Sequence, residues 1–120
     1  LEDINSNSEY FTQFIGPSTF IEQDFVSVYY FGKAGWSLCK HRFGVLNDLY
    51  LDLQSEGYRD IKMIGVNGYA YISNDYHCMV CDTPDECSSC DEIRVLPWVQ
   101  DVPNNINPEY SNDVSRILHC

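Results

Sequence analysis

The sequence predicts an α/β domain built on a strand–helix–strand unit. Residues Phe25–Phe31 are almost all β-branched or aromatic, which is typical of a central strand covered on both faces. Apolar residues spaced three and four apart then predict an amphipathic helix over Lys40–Glu56. A second apolar run, Ile61–Val66, follows Gly57, which is predicted to end the helix in a left-handed conformation. We therefore expect two adjacent parallel strands, joined by a right-handed crossover through the helix.

The segments on either side of this unit carry weaker signals. Ser6 and Glu9 have the spacing of a capping box, so a short helix is predicted over Asn7–Ile15, stopped by Gly16 and Pro17. The other predicted elements are a short strand at Tyr69–Ile72, a stapled surface loop at Asp75–Glu92, a proline-interrupted strand at Arg94–Val99 and a linker or long turn at Asp101–Pro108. A last helix is predicted to have Asn107 as its cap and Pro108 at its first position and to end at Cys120.

Size and charge restrict the classes of partner. The 120 residues fit one domain, and the formal net charge is −11. Such a charge repels phosphate backbones and anionic lipids, so neither nucleic acid nor a membrane surface is predicted as a partner, which leaves a protein partner. The sequence shows no nucleotide, haem or stored-metal motif and no G-x-G phosphate loop, so no cofactor is predicted.

The cysteine content points to an oxidising compartment. The count is even and the chain is short and acidic, a combination that favours disulfide bonds and an extracellular location. The first residue, Leu1, fits either a trimmed chain or a secreted chain that has lost its signal peptide. The six cysteines are Cys39, Cys78, Cys81, Cys87, Cys90 and Cys120.

Four of these cysteines form two C-x2-C units separated by five residues, Cys78–Cys81 and Cys87–Cys90. Paired units of this kind are a common ligand pattern of structural zinc. In an oxidising compartment the same thiols form disulfides instead, which staple a loop that has no core of its own. The disulfide interpretation is favoured, while zinc binding and a redox-active C-x2-C unit remain alternatives.

The stretch from Gly35 to Asn67 resembles the N-terminal domain of the selenoprotein P family. The resemblance is carried by Gly35-Trp-Ser-Leu-Cys39, by the leucine spacing of the helix and by Glu56-Gly-Tyr58 and Val66-Asn67. It implies a thioredoxin-like fold over residues 1–120. In that family the helix entry holds U-x-x-C, where U is selenocysteine, and here Trp36 stands at the U position.

The resemblance also implies the surroundings of the redox position. Leu96-Pro97 is similar to the cis-proline that thioredoxin folds place beside the redox pair, so a cis peptide close to Cys39 is expected. The implied lining residues are Trp36, Ser37, Leu38, Leu96 and Pro97. The chain departs from the thioredoxin pattern in having too few residues after Pro97 for the two further antiparallel strands of that fold.

These residues predict a domain without redox activity. Thiol exchange needs a thiolate at the helix start, which Trp36 cannot supply, and Cys39 occupies the family's resolving position. If all six cysteines pair and the loop cysteines pair among themselves, Cys39 and Cys120 remain. A bridge between them closes a loop of about eighty residues and stabilises by roughly 4 kcal/mol.

The predicted function is thus a secreted structural or interaction module. Two alternatives stay open at this point. One is an extracellular thiol or peroxide oxidoreductase of selenoprotein P type that uses Cys39. The other is a zinc-binding module that uses Cys78, Cys81, Cys87 and Cys90.

Overall fold

A computed structural model of the chain describes residues 1–88 and 90–102. No helix within these ranges is both long enough and apolar enough to cross a lipid bilayer. In chain order the elements are α1 (Pro17–Ile21), β1 (Val26–Gly32), α2 (Ser37–Ser55), β2 (Ile61–Asn67), a 3-10 turn at Tyr69–Tyr71, α3 (His77–Val80), a second 3-10 turn at Pro84–Glu86, and β3 (Trp98–Gln100).

The strand–helix–strand unit is as predicted. Strands β1 and β2 pair in parallel, with Val26 opposite Ile61 and Gly32 opposite Asn67. Gly57 has a φ of +97°, the left-handed conformation expected after α2. Strand β3 adds a third parallel strand on the far side of β2, so the sheet order is β1-β2-β3.

The prediction that Phe25–Phe31 is a central strand covered on both faces is wrong: in the described sheet β1 is an edge strand that exposes Val26 and Val28, because β3 pairs with the far side of β2. The central strand is β2, and helices cover both faces of the sheet there, which explains the unbroken apolar run of that strand. One face packs against α2 and α3, and the other packs against α1. The buried cluster on the first face consists of Ala34, Cys39, Phe43, Met63, Met79, Val80, Leu96 and Trp98. The cluster on the second face consists of Ile15, Phe20, Ile64, Val66 and Val99.

Trp98 is the largest side chain in the core and depends on a glycine opposite it. Its ring is fully buried and meets Phe43 edge to face, with ring centroids 4.9 Å apart. Gly65 is the register partner of Trp98 on β2. A side chain at Gly65 would occupy the space that the two rings fill. The absence of a Cβ at this point is therefore a packing requirement.

The predicted helix over Asn7–Ile15 is wrong. This segment forms successive turns, and Thr12 within it has a φ of +67°. Long-range hydrogen bonds to the N-terminal segment outweigh its helical signal, which is marginal in so short a stretch. Asn5 donates from Nδ2 to the carbonyls of Arg94 and Leu96, at 2.8 and 2.7 Å.

Buried Asp3 anchors the same segment to β3. Its Oδ1 accepts hydrogen bonds from the backbone N–H groups of Asn5 and Trp98, both at 3.0 Å. Burial raises the pKa of Asp3, and hydrogen bonds from Ser8, Asn5 and Trp98 oppose that rise. An antiparallel bridge between Asp3 and Val99 covers the outer edge of β3.

The predictions for the later segments are partly wrong. Tyr69–Ile72 is not a strand, because Tyr69–Tyr71 forms a 3-10 turn. Of the predicted strand Arg94–Val99, only Trp98 and Val99 pair in the sheet, as part of β3. Apart from Asp101 and Val102, the predicted linker at Asp101–Pro108 and the predicted last helix lie outside the described residues.

Candidate functional site

The candidate site is the loop that joins β1 to α2, at the carboxyl edge of the parallel sheet. Open α/β sheets bind ligands at this edge because the strand-to-helix loops converge there. Gly35 gives the loop its turn, with a φ of +85°. The backbone N–H of Trp36 then donates back to the carbonyl of Lys33 at 3.3 Å. Helix α2 begins immediately afterwards at Ser37.

Asn67, at the end of β2, holds this loop in place. Its Oδ1 accepts the backbone N–H of Ala34 at 3.0 Å. Its Nδ2 donates to the carbonyl of Tyr71 at 3.1 Å and to Oε1 of Gln100 at 2.7 Å. One buried amide thus ties together the segments that follow β1 and β2 and the end of β3. The sequence indicated only a turn at Asn67-Gly68; a polar residue closing a buried apolar run is the signal that could have found this role.

Asn74 completes the support from outside the sheet. Its Nδ2 donates to the carbonyl of Ala34 at 2.8 Å. The backbone N–H and the carbonyl of Ala34 are therefore both hydrogen-bonded to side chains from other segments, and Ala34 itself is fully buried. The loop is a rigid support for the residues at the start of α2.

Cys39 lies in the first turn of α2 and is fully buried. Its carbonyl accepts a hydrogen bond from the hydroxyl of Tyr30 at 3.3 Å. The thiol is not free. The predicted partner, Cys120, lies outside the described residues, so the Cys39–Cys120 bridge stays a prediction.

Trp36 immediately precedes α2 and is half exposed, at 52%. Ser37 and Leu38 follow it and are also exposed. The ammonium of Lys33 lies 4.1 Å from the centre of the indole ring, a cation–π distance. The residue immediately before α2 is thus an exposed aromatic ring with a cation on its face.

Leu96 and Pro97, the two predicted lining residues that follow the disulfide-bonded cysteines, lie in different surroundings. Leu96 is buried in the same core cluster as Cys39. Pro97 lines a small cavity with residues that include Tyr10 and Lys62. The Leu96–Pro97 peptide is trans, so the predicted cis bond is wrong. The carbonyl of Pro97 accepts a hydrogen bond from the N–H of Gly65 at 2.8 Å, and the next residues pair in parallel with β2. The chain therefore continues in an extended direction through Pro97, and a trans peptide bond suits this path.

The cysteine-rich segment contains two interleaved disulfides, Cys78–Cys87 and Cys81–Cys90. This confirms the disulfide interpretation of the four loop cysteines. Each bridge joins one C-x2-C unit to the other, so neither unit is a redox pair by itself. Disulfide sulfurs do not supply the thiolates that zinc requires. Within residues 1–88 and 90–102, no group of three or more metal-ligating side chains is placed to hold an ion.

The segment is less superficial than predicted, because its short helix enters the core. Met79 and Val80 of α3 are fully buried. The side chain of Arg94 donates to the carbonyl of Met79 at 2.8 Å, and its backbone N–H donates to the carbonyl of Val80 at 3.1 Å. These contacts join the disulfide-bonded segment to the main core.

His77 and Asp82 form an exposed ion pair beside the disulfides, with Nδ1 2.9 Å from Oδ2. The hydrogen bond to Asp82 raises the pKa of His77 above its ordinary value of 6.5. Because the pKa of His77 is higher in the folded than in the unfolded chain, the ion pair stabilises the folded state. This stabilisation is complete at a pH below the unfolded-state pKa and is lost as the pH rises through the folded-state pKa.

We expect Asp82→Asn to lower stability more at about pH 5.5 than at about pH 8.5, on either side of the ordinary histidine pKa. The effect at the lower pH should stay below about 1 kcal/mol because the pair is solvent-screened. Urea unfolding of both proteins at both pH values measures it. Asp85→Asn serves as the control, since Asp85 is exposed and in the same segment. An equal loss for Asp82→Asn at both pH values would contradict the prediction.

Comparison with known proteins gives no relative for this chain: no family model, no curated protein and no solved structure matches it.

Proposed function

We propose that the chain is a disulfide-stabilised binding or structural domain without redox catalysis, and that it works in an extracellular compartment. The single observation that carries this is the start of α2. An exposed indole stands at the nucleophile position, and the sulfur behind it, in Cys39, is fully buried. Thiol exchange needs an accessible thiolate, and this surface offers none.

The location rests on the sulfur chemistry. Disulfides persist in secreted proteins and are reduced in the cytosol. The two bridges of the cysteine-rich segment, and a Cys39 thiol that is not free, fit an oxidising compartment. A protein partner that contacts the exposed residues around Trp36 is part of the proposal.

The thioredoxin-like part of the proposal concerns the β1–α2–β2 unit. A parallel strand–helix–strand unit with Cys39 in the first helical turn supports it. The trans peptide before Pro97 and the parallel pairing of β3 count against a complete thioredoxin fold. Kinship with the selenoprotein P family is proposed for this unit alone.

The proposal is tested by the absence of insulin reduction in the native chain and by its gain in a designed variant. The native chain should show no turnover in an insulin-reduction assay, and Cys39 should resist alkylation, in the folded and in the unfolded protein, until the disulfides are reduced. Trp36→Cys combined with Cys120→Ser places a thiol at the helix N-terminus, where the dipole lowers its pKa, three residues before Cys39. That variant should acquire measurable insulin reduction.

The control is Cys120→Ser alone, which leaves Trp36 in place and should stay inactive. Cys39→Ser should lower the melting temperature and change no activity. Turnover by the native chain, or rapid alkylation of Cys39 in the folded state, would contradict the proposal.

A further inference from the structure

We propose that the start of helix α2 binds a small tetrahedral oxyanion of the phosphate or sulfate class. The inference adds a small ligand at the surface that is proposed above to contact a protein partner, and it rests on that binding role. Three independent features converge on this point: the local charge, the uncapped helix start and a buried lysine without a counter-ion.

The charge around this site is opposite to that of the chain as a whole. The net charge is −11, yet no acidic residue occurs between Asp24 and Asp48. The same stretch contains Lys33, Lys40 and Arg42, which are three of the seven lysines and arginines. A cation near a helix N-terminus opposes the macrodipole, so this arrangement does not serve helix stability. The stretch that forms the start of α2 thus contributes only positive charges, although Asp101 follows β3 at the same edge of the sheet.

The first turn of α2 leaves hydrogen-bond donors unused. Trp36 at the N-cap position makes no side-chain capping bond, and the first turn contains no acidic residue. Within the described part of the chain, the backbone N–H groups of Ser37 and Leu38 have no acceptor. The first N–H groups of this 19-residue helix point out of its N-terminal end, which is the positive end of the helix dipole, and can therefore donate to an anion.

Lys33 is the third feature. Its side chain is only 6% exposed, and its ammonium faces the rings of Trp36 and Tyr71, 4.1 and 5.3 Å from their centroids. Among the residues that the structure describes, no carboxylate lies within 4 Å of that ammonium and no acceptor hydrogen-bonds to it. Lys33 Nζ is not among the fully buried unpartnered atoms and so keeps some contact with solvent, but a charge on a residue this buried is stabilised further by an opposite charge or hydrogen bonds.

Lys62 shows what the chain does with a comparable lysine elsewhere. Its ammonium also lies near two rings, those of Tyr10 and Phe25, at 5.5 and 5.1 Å. Unlike Lys33, it has a counter-ion, because Glu9 binds it at 2.7 Å. Among the residues that the structure describes, Lys33 thus differs from Lys62 in having no counter-ion, and a bound oxyanion would provide one.

Side-chain hydrogen bonds hold the loop beside the site, and a site that is already held in place binds at a lower entropic cost. Asn67 and Asn74 fix both polar groups of the Ala34 peptide, between Lys33 and the helix start. An oxyanion with oxygens in several directions can accept from the backbone N–H groups of Ser37 and Leu38 and from the ammonium together. The small size of the ligand matters, since the acidic remainder of the surface repels a polyanion.

The experiment is a titration of ¹⁵N-labelled protein with inorganic phosphate at constant ionic strength, using chloride as the balancing salt. We expect saturable shifts of the Ser37 and Leu38 amide signals. Lys33→Met should weaken the apparent affinity about tenfold or more, because a charge-assisted bond is lost. The matched control, Lys62→Met, removes the same charge at a lysine that already has a partner and should bind phosphate as the native chain does.

A second variant keeps the test decisive if Lys33→Met does not fold. Ser37→Asp places a tethered carboxylate at the exposed first position of α2 and should raise the melting temperature while abolishing the phosphate-dependent shifts. Ser37→Asn is its uncharged control and should still bind. Repeating the titration with sulfate and with acetate identifies the preferred anion, and tetrahedral dianions should bind more tightly than acetate.

Shifts that grow linearly without saturation, that spread evenly over the surface or that persist unchanged in Lys33→Met or Ser37→Asp would overturn the proposal. Its failure is separable from failure of the proposed function. Insulin reduction by the native chain refutes the absence of catalysis, whereas the phosphate titration reports on the anion site alone.

Discussion

Gly65→Ala should destabilise the domain by about 3 kcal/mol, the upper part of the usual range for overpacking. A Cβ at this position would overlap the ring of Trp98 and come within 2.6 Å of the ring of Phe43. Neither ring can move freely, since Trp98 and Phe43 are fully buried and in contact with each other. Interiors are too closely packed to absorb a methyl group at such a point.

Gly16→Ala is the matched control, because a Cβ at Gly16 meets nothing within 4 Å and its φ of −168° is extended backbone that alanine adopts. Urea unfolding of the two variants against the native chain gives the difference. If both glycine variants lose the same small amount, the tight approach of β2 to Trp98 does not exist in solution. Trp98→Phe combined with Gly65→Ala should cost less than the sum of the two single changes, since they share one space.

The sequence predicted the β1–α2–β2 unit well because its signals are local. Continuous apolar runs and a helical repeat are properties of neighbouring residues, and Gly57 ends the helix by its own conformational freedom. A tight crossover then leaves little choice of pairing. The resulting strand register brings Gly32 opposite Asn67 and so places the candidate site.

The parts that were missed depend on contacts between distant residues. The N-terminal segment has a helical pattern, yet Asn5 bonds to the carbonyl of Leu96, which is 91 residues away. Asp3 reads as an ordinary surface acid, and only the folded chain shows it buried against Trp98. The spacing of apolar residues along the sequence cannot predict such long-range hydrogen bonds.

The candidate site was located by position but not in its chemistry. Family resemblance directed attention to Trp36 and Cys39 as remnants of a redox pair. The charged group beside them, Lys33, carries no motif, and its burial follows from the Asn67 contacts that fix the loop. The trans bond before Pro97 has a similar cause. The Leu96-Pro97 dipeptide was interpreted from its resemblance to the thioredoxin fold, but here it leads into a strand that pairs in parallel with β2.

Removing both disulfides of the cysteine-rich segment should cost about 3 to 5 kcal/mol, a large share of the stability of a small domain. Each bridge spans nine residues of sequence separation, and the chain-entropy model assigns such a loop roughly 2.5 kcal/mol. The two loops overlap, so their contributions should not simply add. Serine pairs at Cys78 and Cys87, and at Cys81 and Cys90, make the change without touching Cys39.

The loss should be global because α3 enters the core. Met79 and Val80 are fully buried in the same cluster as Trp98. Freeing their segment therefore removes packing from the sheet itself, and the segment is not an independent satellite. Unfolding followed by tryptophan fluorescence in a Trp36→Phe background, which leaves Trp98 as the sole tryptophan, and by far-ultraviolet circular dichroism should show coincident transitions at a lower urea concentration than in the same background with both bridges intact. Each serine pair made separately is the control, and each should shift the midpoint by less than the double pair. Loss of structure confined to the cysteine-rich segment, with the Trp98 transition unmoved, would show that the bridges stabilise a local loop alone.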